Sequence, residues 1–228
     1  MTKATKGGLN EEPAAGSPPR EAMAPTTRIP KSVLTTDKIV EAARELFAQQ
    51  SYANSTLDDV AKRAGFTKGA VYYYFKDKES LLLEVLNRIA ARSIETTIRM
   101  VDEQPDAARK LETFVQCQTR WAGKYPGDLA VMIYMSVEAA YTSPEVRARV
   151  MRFYDRLALT LERIIDAGKK SGEFSSPQAT RDIALYLQAV HDGNMMIWFR
   201  SGTDPKIGHR LTKATMAGFM QAVNNPHR

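Results

Sequence analysis

Residues 56–82 read TLDDVAKRAGFTKGAVYYYFKDKESLL, and this stretch decides the fold of the N-terminal part of the chain. Ala61, Gly65 and Val71 have the spacing of a helix-turn-helix. A small residue lies where the two helices cross, a glycine allows the tight turn, and an apolar residue packs back into the shared core. The second helix of such a motif can lie in the major groove of DNA. The stretch therefore predicts a DNA-binding motif over about residues 56–75.

Helix-start signals mark the boundaries of this motif. Thr56 and Asp59 have the spacing of a capping box, with Asp in place of the usual Glu or Gln. Thr67 is placed to cap the second helix of the motif, and Asp77 is placed to cap a long helix that continues to about Val101. The local signals thus predict three helices in succession.

The exposed side chains of the second motif helix are of the kinds that contact DNA. Lysine binds phosphates or guanine acceptors, and tyrosine hydroxyls bond to phosphates while the rings pack on sugars or thymine methyls. Five Lys or Arg residues against a single Asp lie between positions 62 and 78, although such a run also occurs on a solvated face. Tyr74 and Phe75 are predicted to pack inward. The predicted exposed residues are Thr67, Lys68, Gly69, Tyr72 and Tyr73.

The longer segment TTDKIVEAARELFAQQSYANSTLDDVAKRAGFTKGAVYYYFKDKESLLLEVL resembles the DNA-binding domain of TetR/AcrR-type bacterial regulators, over roughly residues 35–88. Its most specific part is TKGAVYYYFKDKESLL. The resemblance implies an all-α homodimer with an N-terminal three-helix helix-turn-helix domain and a C-terminal helical ligand-binding and dimerisation domain. Two recognition helices about 34–36 Å apart would face the half-sites of a near-palindromic, double-stranded DNA operator.

Carried over position by position, the resemblance assigns DNA contacts to eight residues. Thr56 would bond to a phosphate at the start of the first motif helix. The positions that would read bases are Lys68, Gly69 and Tyr72. The positions that would mostly hold the DNA backbone are Thr67, Tyr73, Tyr74 and Lys78. Ser51 departs from the family pattern, which has glycine after the first helix, and a left-handed serine there would cost ~1 kcal/mol.

Composition predicts a globular chain whose N-terminal segment has a composition typical of disorder. Apolar residues make up 43 % and charged residues 25 % of the 228 residues, and the net charge is +6. Residues 1–34 are rich in Ala, Pro, Gly, Ser and Thr, so they are predicted to form a disordered N-terminal arm that ends before a helix capped by Thr36. The DNA-binding domain is expected at 35–95 and the ligand-binding and dimerisation domain at 96–228.

The C-terminal part also has helical periodicity, and no alternating strand pattern appears. Ser-Pro pairs at 143–144 and 176–177 are predicted helix starts. The apolar helix over 127–141 is expected at the centre of the domain. The predicted helices are about 106–124, 127–141, 144–170, 177–201 and 205–223. The resemblance implies that the last two pair with their copies in the dimer, with candidate contacts Leu187, Val190, Asn194, Trp198, Leu211, Met216 and Phe219.

The frequent Met and aromatic residues of this part favour an adaptable apolar pocket, although core packing explains any one of them as well. Polar residues inside apolar helices are better pointers. Glu138 either faces a cationic ligand or is exposed at a helix end, and His191 either binds the ligand or is a hydrogen-bonded core histidine. The predicted effector is apolar, aromatic or cationic. The predicted ligand-binding residues are Gln118, Trp121, Tyr134, Met135, Glu138, His191 and Asn194.

Enzymatic chemistry finds no support in the sequence. His and Cys residues lack zinc-ligand spacing, and there is no nucleophile elbow or phosphate loop, so no catalytic residue, metal or cofactor is predicted. The single cysteine, Cys117, excludes an intrachain disulfide and suits a cytoplasmic location. No apolar run approaches the ~18–20 residues that span a bilayer, so no membrane partner is expected.

The predicted function is a homodimeric transcriptional regulator, namely a repressor released from its operator by a small molecule. The alternative is a ligand-independent regulator or activator whose helical domain binds a protein partner.

Overall fold

A computed structural model describes residues 31–224, and every regular element within that range is a helix, as predicted. A π-helical turn (Ala91–Glu95) joins α4 to α5, and a 3-10 turn (Ala139–Tyr141) follows α7. None of the helices in this range is long and apolar enough to cross a membrane. In chain order the α-helices are α1 (Lys31–Gln50), α2 (Leu57–Ala64), α3 (Lys68–Tyr74), α4 (Lys78–Ala90), α5 (Thr96–Asp102), α6 (Ala107–Lys124), α7 (Pro126–Glu138), α8 (Pro144–Ser171), α9 (Thr180–Arg200) and α10 (Pro205–Asn224).

The first helix begins earlier than predicted. Because α1 starts at Lys31, the last four residues of the predicted disordered arm are helical. Thr36 is not a cap, since its hydroxyl donates to the carbonyl oxygen of Ser32 at 3.0 Å inside the helix. The rest of the predicted arm, residues 1–30, lies outside the described residues.

The helix-turn-helix has the predicted local structure. Ala61 and Val71 are buried between α2 and α3, and Gly65 ends α2 in the left-handed conformation with φ +72°. The backbone N–H of Phe66 donates to the carbonyl oxygen of Ala61 at 3.0 Å, which closes the helix end. Thr56 caps α2 through the predicted capping box. These contacts fix the orientation of α3 on the domain.

One continuous helical rod, residues 78–102, links the two halves of the chain. It comprises α4, the π turn and α5, and Asp77 caps its start by accepting a hydrogen bond from the Ser80 backbone at 2.7 Å. The predicted helix from Asp77 to about Val101 is therefore confirmed. The π turn was not predicted, and such turns often occur at functional positions in helices.

Two predictions for the C-terminal half need correction. The apolar helix predicted over 127–141 is central only in its first part, because Val137 is 65 % exposed and Tyr141 is 90 % exposed. The helix predicted from Pro177 begins only at Thr180. The reason is that the backbone N–H of Ser176 donates to the carbonyl oxygen of Val223 at 3.0 Å, which fastens this segment to α10 before the helix starts.

The predicted dimer contacts also divide into two groups. Leu187 and Phe219 are completely buried inside one protomer, so they are not available to a second copy. The large apolar side chains that α9 does expose are Leu185, Tyr186 and Ile197. The other five candidates are half-buried and stay predicted contacts, namely Val190, Asn194, Trp198, Leu211 and Met216.

Ser51 adopts the left-handed conformation expected at this position, where the family pattern has glycine, and its φ is +68°. We expect Ser51→Gly to raise the free energy of unfolding by about 1 kcal/mol, because glycine adopts this conformation without steric cost. Urea denaturation followed by circular dichroism measures the change. Ser51→Ala keeps the Cβ atom and is expected to give no gain; an equal gain from both variants would contradict the conformational explanation.

Candidate DNA interface and effector cavity

One side of α3 faces solvent, and it carries the residues predicted to read DNA. Tyr73 is 83 % exposed and Tyr72 is 44 % exposed, while Val71 anchors the opposite side in the core. Gly69 is exposed with open space around it, so a DNA surface can approach the helix backbone closely. The helix therefore presents two tyrosine rings beside a small gap, a shape that fits a groove.

The start of α3 adds hydrogen-bonding groups to this face. The Thr67 hydroxyl accepts from the Ala70 backbone N–H at 3.2 Å, which leaves its O–H free to donate. The Lys68 ammonium donates to Asp58 at 2.9 Å, and this hydrogen bond raises the pKa of Lys68. Because both side chains are exposed, the pair is weak and a phosphate or a base can replace the carboxylate.

Lys78 is held inside the domain. Its ammonium donates to the carbonyl oxygens of Tyr52 at 2.9 Å and Ser55 at 2.8 Å, and lies 4.2 Å from the centroid of the Tyr52 ring. Partial burial lowers the pKa of Lys78. The side chain therefore fastens the loop between α1 and α2, and one N–H is left for a phosphate.

The other two predicted backbone contacts are also engaged within the protein. The Thr56 hydroxyl donates to the Asp59 carboxylate at 2.6 Å and accepts from the Asp59 backbone at 3.1 Å. Tyr74 is half-buried and packs edge-on against the ring of Tyr73 at 5.1 Å, while Phe75 is buried. The inward packing predicted for Tyr74 and Phe75 is confirmed.

Lys78→Met is expected to lower the free energy of unfolding of the DNA-free protein by about 1–2 kcal/mol. The change removes two hydrogen bonds from a charged donor to backbone carbonyls. Each of them is expected to contribute less than a fully buried bond of this kind, because the ammonium is partly exposed. Thermal denaturation without DNA measures this effect. If Lys78 served only to bind phosphate, the stability of the free protein would not change.

A cavity of about 560 Å³ lies between α6, α7, α8 and α9. Most of its wall is apolar, as at Met132, Phe153 and Leu157. Three predicted ligand residues line it, namely Gln118, Trp121 and His191. Two charged residues, Arg147 and Asp192, also line the wall, and sequence reasoning missed Arg147. The cavity has the size and lining of a small-molecule site.

His191 is a buried polar group of this cavity with an unpaired atom. It is 6 % exposed, its Nδ1 lies 3.0 Å from an oxygen of Asp192, and its Nε2 has no hydrogen-bond partner among the residues that the structure describes. With the carboxylate accepting from Nδ1–H, the neutral ring presents a lone pair at Nε2. An unpaired buried polar atom costs about 1–3 kcal/mol, so a ligand hydroxyl or amide that donates to Nε2 would be favoured.

The remaining predicted ligand residues lie elsewhere. Asn194 lines a second cavity of about 320 Å³ and donates to the Thr215 hydroxyl at 2.7 Å. Tyr134 packs edge-on against an aromatic ring of α9, and Met135 is buried in the core. Neither of these two residues lines either cavity.

Hydrogen bonds join the helices around the large cavity to the DNA-binding half. Gln118 donates to the hydroxyls of Thr97 at 2.8 Å and Ser93 at 3.2 Å, both on the rod. Glu138, predicted to bind a ligand, lies outside both cavities and accepts from the backbone N–H of Ala53 at 3.2 Å. These hydrogen bonds connect α6 to the rod and α7 to the loop that precedes α2.

A buried carboxylate forms another junction between the two halves. Asp128 on α7 is completely buried, and its Oδ1 lies 3.6 Å from Arg44 Nε on α1 and 3.5 Å from Arg92 Nη1 on the π turn. Burial raises the pKa of Asp128, and the two guanidinium groups oppose that shift. Gly127 makes room for this contact, since a Cβ atom there would collide with the Arg44 guanidinium.

This junction contains unpaired polar atoms beside the cavity. Within residues 31–224, Asp128 Oδ2 has no hydrogen-bond partner, and neither has the indole Nε1–H of Trp121, whose ring lines the cavity. The indole lies close enough to the carboxyl group to oppose the rise in its pKa. Sequence reasoning missed this cluster, although Asp128 is the only carboxylate in the apolar run 126–137.

Both halves of the chain match known protein families. Residues 39–85 match the family described as bacterial regulatory proteins, tetR family, and residues 104–217 match the tetracyclin repressor-like C-terminal domain. The fatty acid metabolism regulator protein of Bacillus subtilis is 27 % identical over 161 residues, which cover 71 % of this chain and 81 % of that protein.

Solved structures share the fold over both halves. The MbdR regulator from Azoarcus sp. CIB superposes with a TM-score of 0.72 at 27 % identity, covering 85 % of this chain and 100 % of that one. FadR from Bacillus subtilis, solved in complex with stearoyl-CoA, superposes with a TM-score of 0.69 at 22 % identity, covering 84 % of this chain and 97 % of that one. The similarity therefore includes both the helix-turn-helix and the helices that surround the cavity.

Proposed function

The chain belongs to the TetR family of bacterial transcriptional regulators, and we propose that it is a homodimeric repressor released from its operator when a small effector fills the large cavity. One observation carries the proposal: Gln118 of the cavity wall is hydrogen-bonded to the rod, which begins at Lys78 shortly after α3 ends at Tyr74. A regulator of this kind acts on chromosomal DNA, so the proposed location is the cytoplasm.

The proposed operator is a near-palindromic, double-stranded DNA site. Lys68, Gly69 and Tyr72 would meet base edges, while Thr67 and Tyr73 would hold phosphates. Thr56, Tyr74 and Lys78 would act chiefly by keeping α2 and α3 in place, because their polar or aromatic groups are already engaged. This division separates the residues that discriminate between sequences from the residues that support them.

The proposed dimer is formed through α9 and α10. The exposed Leu185, Tyr186 and Ile197 give α9 an apolar outer side, and the exposed Ala214 and Ala217 give α10 small side chains that allow close approach. Two helices from each copy would then bury this surface together. Analytical ultracentrifugation gives the mass in solution, which is expected to be that of two chains.

The proposed effector is mainly apolar and carries a hydrogen-bond donor. The apolar wall fits a chain or ring system, and His191 Nε2 would accept the hydrogen bond of a hydroxyl or amide. An acyl chain is the first class to test, because the similar FadR of Bacillus subtilis was solved with stearoyl-CoA. Its binding would displace Trp121 and Gln118, and thereby shift the rod and the separation of the two α3 helices.

The test starts from an operator selected by this protein from a random DNA library. Fluorescence anisotropy then measures operator affinity with and without stearoyl-CoA, with choline as a small cationic comparison. A cavity-bound effector is expected to weaken operator binding by roughly 5–150-fold, the usual range of coupling between two sites. His191→Leu should reduce the response to effectors that donate a hydrogen bond. A compound that binds the cavity yet leaves the operator affinity of the intact dimer unchanged would refute the repressor mechanism.

An activator or ligand-independent regulator that binds a protein partner is the second candidate. Val137 on α7, Tyr141 on the 3-10 turn and Met151 on α8 expose large apolar side chains, which a docking surface would need. Operator binding that no cavity ligand alters would favour this candidate.

A further inference from the structure

A separate cleft, of about 420 Å³, lies where the π turn meets α6, and Trp121 lines both this cleft and the large effector cavity. Three cationic side chains line it, namely Arg92 from the π turn and Arg120 and Lys124 from α6. In the described part of the chain, no carboxylate belongs to its wall. Arg92 and Lys124 both lie over the ring of Tyr125, with their charged groups 5.0 and 5.2 Å from its centroid.

The cations of this cleft are not equally neutralised. Arg92 contacts Asp128 at 3.5 Å and Glu41 at 3.7 Å, and these two carboxylates also contact Arg44. The two arginines are therefore balanced by two carboxylates. Arg120 and Lys124, by contrast, form no salt bridge within residues 31–224. They are four residues apart on one helix, where like charges repel each other. The cleft therefore has two uncompensated positive charges.

We propose that this cleft is an anion-binding site, separate from the effector cavity, that binds phosphate or a phosphate ester through Arg92, Arg120 and Lys124. The planar guanidinium groups match the geometry of phosphate oxygens, and the lysine adds a point charge. The anion would relieve the repulsion between Arg120 and Lys124. It would also compete with Asp128 for Arg92, so its binding would alter the contact between α7 and the DNA-binding half.

Cys117 provides a direct test of occupancy. It is the only cysteine of the chain, it lines the cleft, and it is 8 % exposed. Its alkylation rate with N-ethylmaleimide, measured by mass spectrometry without DNA, reports both access to the thiol and its thiolate fraction. Inorganic pyrophosphate or ADP is expected to slow alkylation by about threefold or more, because a bound anion blocks access and disfavours the thiolate. Protection by pyrophosphate would show that phosphate charge suffices, and protection by ADP alone would show that the site needs an ester.

Variants identify the groups responsible. Arg120→Gln combined with Lys124→Gln should abolish the protection and weaken anion binding in calorimetry by about tenfold or more, since two charged hydrogen-bond donors are lost. Both residues are exposed, so the double variant is expected to keep its fold, which circular dichroism checks. Lys124→Gln alone tests the same protection and anion affinity with a single substitution. Arg109→Gln, on the same helix outside the cleft, should keep the wild-type protection of Cys117 and the wild-type anion affinity. Lys68→Gln, on the DNA-binding face, should keep these two values as well, since both assays contain no DNA.

Three results would contradict the proposed anion site. Unchanged alkylation of the wild-type protein in both anions would overturn it. So would protection that persists in the double variant, or anion binding that is lost in Lys68→Gln instead, since that would place the anion on the DNA-binding face. None of these measurements depends on whether the protein is a repressor.

Discussion

Replacing Lys68 and Tyr72 together by alanine is expected to lower operator affinity by about a hundredfold or more, and affinity for random DNA by much less. Both side chains lie on the exposed side of α3, and a good contact to a base is worth about 1–3 kcal/mol in discrimination. Random DNA is bound mainly through phosphates, so it loses only the charge of Lys68. The double change therefore removes most of the preference for one sequence.

Fluorescence anisotropy on the selected operator and on random DNA of equal length measures both affinities at one salt concentration. Lys62→Ala is the matched control, because Lys62 is an exposed lysine on α2 rather than on α3. It is expected to weaken binding to the two DNAs equally and modestly. Equal losses on both DNAs from the Lys68 and Tyr72 variant would show that α3 does not read the sequence.

Asp128→Ala is expected to lower the free energy of unfolding by about 3 kcal/mol, since removal of one partner leaves the charges of a buried ion pair uncompensated. The carboxylate is completely buried, and it lies between the guanidinium groups of Arg44 and Arg92. Without it, the single carboxylate of Glu41 is left against both cations at the contact between α1, the π turn and α7, so one positive charge is uncompensated. Urea denaturation of the variant and the wild type gives the difference. Asp155→Ala, at an exposed position on α8, is the control and should cost little.

The pH dependence of this difference has a definite sign. Burial raises the pKa of folded Asp128 above its unfolded value, so the folded protein takes up a proton more readily at this position. The wild type therefore gains stability relative to Asp128→Ala as the pH falls from 7 through the folded pKa towards the unfolded value of about 4. If the difference in free energy of unfolding between the two proteins shrinks over this interval, then the ion pairs rather than burial determine the pKa of Asp128. An Asp128→Ala variant as stable as wild type would contradict the structural role of the junction.

The helix-turn-helix was predictable because its signals are local. The capping box at Thr56, the left-handed Gly65 and the buried Val71 each depend on neighbours within a few residues, and the structure contains all three. The rod from Asp77 is likewise a short-range prediction. Its π turn is not, because helical periodicity does not reveal one extra residue in a turn.

Contacts between distant helices were not predictable in the same way. The 3.6-residue period shows that a helix has an apolar side, but not which helix covers it, so Leu187 was assigned to the dimer surface although the protomer buries it. Glu138 was read as a possible ligand contact because its partner, the backbone of Ala53, lies 85 residues earlier in the chain. Asp128 acquires its role only when α1 and the π turn are both packed against α7.

The most direct test of the central claim is a titration of the full chain against its selected operator and against random DNA, by fluorescence anisotropy across a salt series. We predict that the dimer prefers the operator by about a thousandfold or more at physiological salt, and that affinity for both DNAs falls as salt rises. Equal affinity for the two DNAs at every salt concentration would contradict the claim that this protein is a sequence-specific regulator.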